Sequence, residues 1–256
     1  MVEFDSITLS DGVDLYYQEA GSAGDPTIVL LHGFSGNHLS WWQQVPAFEG
    51  YRCLAPDQRR FGLSRDRDDG PGVAAFVDDL RELLDDREID EAAIVGHSMS
   101  GWPAVSMATQ YPDRVTCLVL SGTPGGLLSP SRHGTLLEEA AGTLPVVDPL
   151  DTAERFLSDS ITQLNVDSPA EFGDVRPTLD DLPTDASAIL GADIPIMLIA
   201  GAADGFMPEI AIREVSERLD GAPYEIVDGA GHSVNVERPS TFNRHVNEFL
   251  ESSVFG

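Results

Sequence analysis

Lysine is absent from the 256-residue sequence. All 15 basic residues are arginine, set against 43 aspartates and glutamates, which leaves a formal net charge of −28. A polyanion or an anionic lipid surface requires clustered cations, so nucleic-acid and membrane partners are excluded as the leading reading. Cysteine is nearly absent too. Cys53 and Cys117 each lie inside a short apolar run, where a thiol is expected as a small buried hydrophobe and not as half of a disulfide. No apolar run approaches the roughly 18 residues of a membrane span. The N-terminal MVEFDSITLSDG has neither the basic nor the apolar stretch of a secretion signal. These absences predict a soluble, cytoplasmic protein.

Apolar residues are plentiful. At 42% hydrophobic the chain is too apolar for an acidic disordered tail and long enough to bury a real core. The acid therefore sits on a folded protein. Surplus carboxylate without lysine resembles the composition of proteins from extremely halophilic archaea, where the Debye length falls to roughly 3 Å at 1 M salt and self-repulsion is muted. A GC-rich genome would explain the missing lysine but not the charge.

Residues 4–9 and 13–18 alternate apolar and polar around Ser10-Asp11-Gly12, the pattern of a β-hairpin at a sheet edge. After Gly24-Asp25-Pro26 the pattern changes to continuous apolar runs at 27–31, 52–55, 92–95, 115–120, 196–200 and 224–227. Strands buried on both faces read this way. Helical patterns lie between them, as at 73–86, where Val73, Phe76, Val77, Leu80, Leu83 and Leu84 share a stripe. The alternation predicts a doubly wound α/β sheet. Residues 123–192 interrupt it with helical patterns alone, such as 151–164, opened by Asp151 with Glu154 three residues on. They are expected to form a helical lid inserted into a single domain, 1–256, whose core is 1–122 plus 193–256.

The sharpest motif is Val95-Gly96-His97-Ser98-Met99-Ser100-Gly101, where a buried strand gives way to a helix. A serine in such a tight turn exposes its Oγ above the sheet, with small neighbours two positions to either side. The helix beginning at Met99 aims its N-terminus at developing negative charge. A serine nucleophile needs a base, and the base needs an orienting acid. Gly231-His232 follows the last strand, and Gly201-Ala202-Ala203-Asp204 follows the one before it, so both leave the same sheet edge. Asp193 precedes its strand and falls at the wrong edge, and Asp228 reads as local turn chemistry. Leu31-His32-Gly33-Phe34-Ser35-Gly36 ends another buried strand. From there the Phe34 N–H, with the Met99 N–H, would form an oxyanion hole worth on the order of 3 kcal/mol per donor. His32 is expected to hold that loop.

His32-Gly33-Phe34, the stretch Pro56-Asp57-Gln58-Arg59-Arg60-Phe61-Gly62-Leu63-Ser64, Gly96-His97-Ser98-Met99, Gly201-Ala202-Ala203-Asp204 and Gly231-His232 together resemble the α/β-hydrolase superfamily, in its single-lid esterase, lactonase and C–C hydrolase branch. The resemblance spans residues 5–250. It implies an eight-stranded, mostly parallel sheet with helices on both faces, a helical lid, a catalytic triad of Ser98, Asp204 and His232, and neither cofactor nor metal. Two residues depart from the pattern: Arg60 and Ser100 stand where glycine is usual. The stretch 57–64 is expected to brace the elbow.

The reading is a serine hydrolase acting on an ester-like bond of a small molecule, a carboxylesterase or lactonase. C–C bond hydrolysis, perhydrolase chemistry and a menaquinone-pathway lyase are alternatives on the same fold, although in the lyase the elbow typically runs on into an arginine and here Trp102 follows Gly101. A hydrolase-like receptor with slow turnover is the rival from another class. Trp102, Leu127 and Met207 are the foremost candidates for substrate contact, with Phe34, Trp42, Met99, Leu128, Phe156 and Leu157 behind them. Arg132 and Arg155 are expected to pair with neighbouring acids. The oligomeric state is not legible.

Overall fold

Side chains alternate along an extended chain, so a strand that is apolar throughout must be covered on both sides. All six runs become strands, five of them covered in this way, while the sixth, at 224–227, is an edge strand with only Val227 buried. The computed structural model describes residues 2–146 and 186–254. The hairpin forms β1 (Val2–Thr8) and β2 (Asp14–Ala20), and the runs form β3 (Thr27–Leu31), β4 (Arg52–Pro56), β5 (Ala92–His97), β6 (Val115–Ser121), β7 (Ile196–Gly201) and β8 (Tyr224–Val227). They make one eight-stranded sheet in the order β1-β2-β4-β3-β5-β6-β7-β8. The pairings β1/β2 and β2/β4 are antiparallel and all others are parallel. This is the α/β-hydrolase fold, with β1 and β8 as the outermost of the described strands.

Each parallel strand divides its side chains between two cores. Val29, Ile94, Leu118 and Leu198 face one side, covered by α1 (Phe76–Asp86), α2 (Gly101–Gln110) and, later in the chain, α4 (Glu209–Arg218). Ile28, Leu30, Val95, Val119 and Ile199 face the other, covered by the turn His38–Trp41 and the C-terminal helix α5 (Pro239–Val254). On α5 the buried Phe242, Val246 and Leu250 recur every four residues. Each contributes roughly 1.5–3 kcal/mol by leaving water. Cys53 and Cys117 lie in the second core as free thiols, and burial pushes both up to about 12, so they act as hydrophobes.

The helix expected at 73–86 starts later than its apolar stripe suggests. Gly72 sits at φ 59°, and Gly72–Ala75 is a tighter 3₁₀ turn before α1 begins at Phe76. Between β6 and β7 the described residues contain α3 (Pro130–Ala140) and the turn Ala186–Ile189. The helix expected at 151–164 lies outside the described residues.

The stretch after β4 is built on buried polar bonds. Arg59 is fully enclosed and forks onto Asp79 at 2.7 and 2.8 Å, with Asp11 at 2.7 Å and Asp66 at 2.9 Å. A buried guanidinium without such partners would cost several kcal/mol. Arg60 does take the left-handed backbone of the glycine it replaces, at φ 73°, and its side chain pairs with Asp66 at 3.1 Å. Buried Asp57 accepts from the backbone N–H and Nδ1 of His38, both at 2.7 Å, and from Leu63 N–H at 2.9 Å.

Candidate active site

The carboxyl ends of β3, β5, β7 and β8 converge on one point. Ser98, immediately after β5, sits at φ 53°. That left-handed conformation costs a non-glycine residue on the order of 1–3 kcal/mol, and such strain persists where surrounding structure dictates it. Here the surroundings are tight. A Cβ on Gly96 would stand 2.6 Å from the Ser100 carbonyl oxygen, and one on Gly33 would stand 2.7 Å from His97 Nδ1 and 3.1 Å from Ser98 Cβ. Ser100, by contrast, has φ −78°, so a side chain is tolerated there. Its buried hydroxyl donates to the His32 carbonyl and accepts from Gln58 Nε2 at 2.7 Å.

The three residues expected to act together are hydrogen-bonded in line. Ser98 Oγ lies 2.8 Å from His232 Nε2, and His232 Nδ1 lies 2.9 and 3.0 Å from the two Asp204 oxygens. With its Nδ1–H donating to the carboxylate, the imidazole presents the Nε2 lone pair to the serine hydroxyl. Asp204 is wholly buried, and its Oδ1 also accepts from Phe206 N–H at 2.8 Å and Met207 N–H at 3.0 Å. Gly122 explains why nothing else crowds the pair: at φ 59°, a Cβ there would come within 3.2 Å of both Asp204 Oδ2 and His232 Nδ1. The competing acids Asp193 and Asp228 are exposed and take no part.

Two supports went unread in the sequence. Glu237 accepts from Gly231 N–H at 2.7 Å and Ser233 N–H at 2.9 Å, clamping the loop on either side of His232. His97 Nε2–H donates to the His232 carbonyl at 3.1 Å. Burial, then the neighbouring His232, lowers His97 to about 4, so the ring is neutral near pH 7. The available signals were a histidine beside the nucleophile and a glutamate five residues after the base. Neither spacing carries enough specificity alone. His32 behaves as expected, donating from Nδ1 to the Gly33 carbonyl at 2.8 Å and accepting Gln58 N–H on Nε2 at 3.0 Å.

Above Ser98 opens a cleft of about 740 Å³. Phe34, Met99, Trp102, Leu128 and Phe206 supply its apolar wall. No described atom accepts a hydrogen bond from the Phe34 N–H, and the Met99 N–H lies in the first helical turn, where no intrahelical partner exists. Leu127 and Met207 pack in the hydrophobic core and are not among the described residues lining the cleft, whereas their neighbours Leu128, itself buried, and Phe206 line it. Adjacent residues on a turning backbone point to different sides, and loops lack the periodicity that would reveal which. Trp42 is exposed away from this wall, and Phe156, Leu157 and Arg155 lie outside the described residues. Arg132 is paired with Glu214 at 2.6 Å.

The family profile for the alpha/beta hydrolase fold matches residues 26–147. The chain is 29% identical over 275 residues to a candidate 2-succinyl-6-hydroxy-2,4-cyclohexadiene-1-carboxylate synthase of Bacillus subtilis (strain 168), covering 96% of this chain and 98% of that protein. Among solved structures, a meta-cleavage product hydrolase, CumD, matches at 25% identity with a TM-score of 0.75, over 97% of this chain and 98% of that one. A structure from work on carboxylesterases of the thaumarchaeon Nitrososphaera gargenis matches at 21% identity with a TM-score of 0.77, over 98% and 99%. These relatives point to a hydrolase, and sheet topology and likeness together give the chain the α/β-hydrolase fold.

Proposed function

We propose that the protein is a serine hydrolase that cleaves carboxylic esters of small uncharged molecules, with Ser98, His232 and Asp204 as its triad. The observation that carries this reading is the unbroken hydrogen-bonded line from Ser98 Oγ through His232 to Asp204. Ser98 Oγ attacks the ester carbonyl while His232 Nε2 takes its proton. The carbonyl electron pair becomes an oxyanion facing the Phe34 and Met99 amides. Its collapse breaks the bond to the alcohol, which leaves with the proton from His232, and water then resolves the acyl-enzyme by the same route. Asp204 stabilises the imidazolium and does not itself take the proton.

The cleft supports an uncharged substrate. Among its described lining residues there is neither arginine nor lysine, and the nearby Arg132 is already committed to Glu214. Leu128, Pro130 and His133, from the first part of the insertion 123–192, line the cleft, which supports that insertion as its cap. A second reading, C–C bond chemistry on a carboxylate-bearing substrate, has support in the likeness to the Bacillus synthase and to CumD. It lacks a described cation for that carboxylate.

A panel of p-nitrophenyl acyl esters, lactones and vinylogous diketones, run in molar KCl and in dilute buffer, tests the reading. Multiple turnover of the esters is expected, with Ser98→Ala lowering it more than about 10⁴-fold. Full turnover by that variant, or phosphonate labelling at another residue, would sink the triad assignment. A single acylation without cycling would favour a receptor. The acidic composition further supports a molar-salt working environment. Equal stability and activity in both buffers would remove that inference and leave the hydrolase intact.

A further inference from the structure

The peptide between Gly33 and Phe34 is planar and trans, so whatever fixes the Gly33 carbonyl also fixes the Phe34 N–H on its opposite side. That carbonyl accepts from His32 Nδ1–H at 2.8 Å and Gly36 N–H at 3.0 Å. The His32 ring is in turn set by Gln58 N–H, which occupies Nε2 at 3.0 Å, and burial lowers it to about 4, so it keeps the lone pair that this bond requires. The backbone of the same residue is tied separately. The His32 carbonyl accepts from Gln58 Nε2 at 2.8 Å and from the Ser100 hydroxyl, and Gln58 Nε2 spends its other proton on Ser100 Oγ at 2.7 Å. Turning the Gln58 amide over would set its oxygen against the His32 carbonyl, so the bonding pattern fixes its orientation.

The loop is bounded on both sides. It cannot move toward the nucleophile, because Gly33 already stands against His97 and Ser98 with no space for a Cβ. Movement away is opposed by the bond from Ser100, which belongs to the same turn as Ser98. A glycine at position 100, usual in the pattern this sequence resembles, offers no hydroxyl for that bond.

We propose that Ser100 is a positioning residue for the reaction: its hydroxyl ties the oxyanion loop to the turn carrying the nucleophile, holding the Phe34 N–H in register with Ser98 Oγ and the Met99 N–H. This rests on the serine-hydrolase reading. The bond has no part in binding the substrate in its ground state, so its loss falls on turnover.

The test compares Ser100→Ala and Ser100→Gly with the parent on a matched pair of esters, one with a carbonyl oxygen and one with a thiocarbonyl sulfur. Sulfur draws far less from amide donors, so damage to the oxyanion loop weighs on the oxygen ester, whereas damage to Ser98 or His232 weighs on both. For the oxygen ester kcat is expected to fall about tenfold with KM nearly unchanged, and for the thiono ester less than about threefold. Equal losses on the two esters, a change confined to KM, or full activity in Ser100→Gly would overturn the proposal. If Ser100→Ala does not fold, Ser100→Gly carries the test, since φ −78° suits either residue. Turnover surviving in Ser98→Ala would instead defeat the underlying hydrolase reading, whatever the Ser100 variants do.

Discussion

Nucleophile and base reach the same point by different physical means. Ser98 is held by lack of space: its backbone is strained at φ 53°, and Gly96 and Gly33 are pressed so closely that neither has room for a Cβ. His232 is held by hydrogen bonds. Asp204 fixes its ring, Glu237 grips the amides on either side, and His97 grips its carbonyl. Steric placement tolerates changes of charge but no added atoms. Electrostatic placement tolerates added atoms at its margins but depends on which groups are ionised.

This contrast makes the two sides separately breakable. The largest effect is expected from Asp204→Asn, which keeps the shape of the acid but removes its charge. Ester turnover should fall about 10⁴-fold while the melting temperature changes little, measured by steady-state kinetics beside calorimetry. Gly96→Ala attacks the other side without touching charge. Displacing the elbow by an ångström is expected to cost about 10²-fold in kcat, and a variant with parental activity would show that the tightness at Gly96 is not needed.

The smallest effect concerns pH. His32 is buried neutral, with burial lowering it to about 4 from an ordinary 6.5. Below pH 6.5 the unfolded chain binds a proton that the folded chain refuses, so stability is present above that pH and is lost as pH falls toward 4. Between pH 7.5 and 5 this one group should cost roughly 2 kcal/mol, read as a drop in the urea midpoint. Because steric placement does not titrate, Gly96→Ala should show the same pH slope as the parent.

Much of this was legible in sequence. The central strands could be read because burial on both faces leaves almost no polar position inside them, as in residues 28–31, whereas the edge run 224–227 carries Glu225 and buries only Val227. Ser98, Asp204 and His232 were legible because each follows a strand directly, and strand direction fixes which edge it reaches. The cleft wall was not. Leu127 and Leu128, or Phe206 and Met207, are adjacent hydrophobes in loops, and nothing periodic tells which of each pair turns inward. Gln58 and Ser100 were missed for a related reason: polar side chains acting on distant backbone leave no local pattern, and the Ser100 partner lies 68 residues away, while Glu237 acts on nearby amides of an irregular loop that has no periodicity to reveal it. Ser100 read as a departure from a motif when its hydroxyl is a bond to the neighbouring loop.

The order of strands in the sheet carries a consequence for how the molecule is made. The strands from β1 to β6 are completed by residue 121, nucleophile and oxyanion loop included, whereas β7, which must lie against β6, begins only at residue 196. Closing so long a connection costs about 0.6 kcal/mol more for each doubling of its length, and contacts that distant in sequence form slowly. During synthesis the half carrying Ser98 therefore emerges and can collapse first. Asp204 and His232 arrive together afterwards, on the last two strands, so the chain gains its nucleophile before it gains the means to activate it.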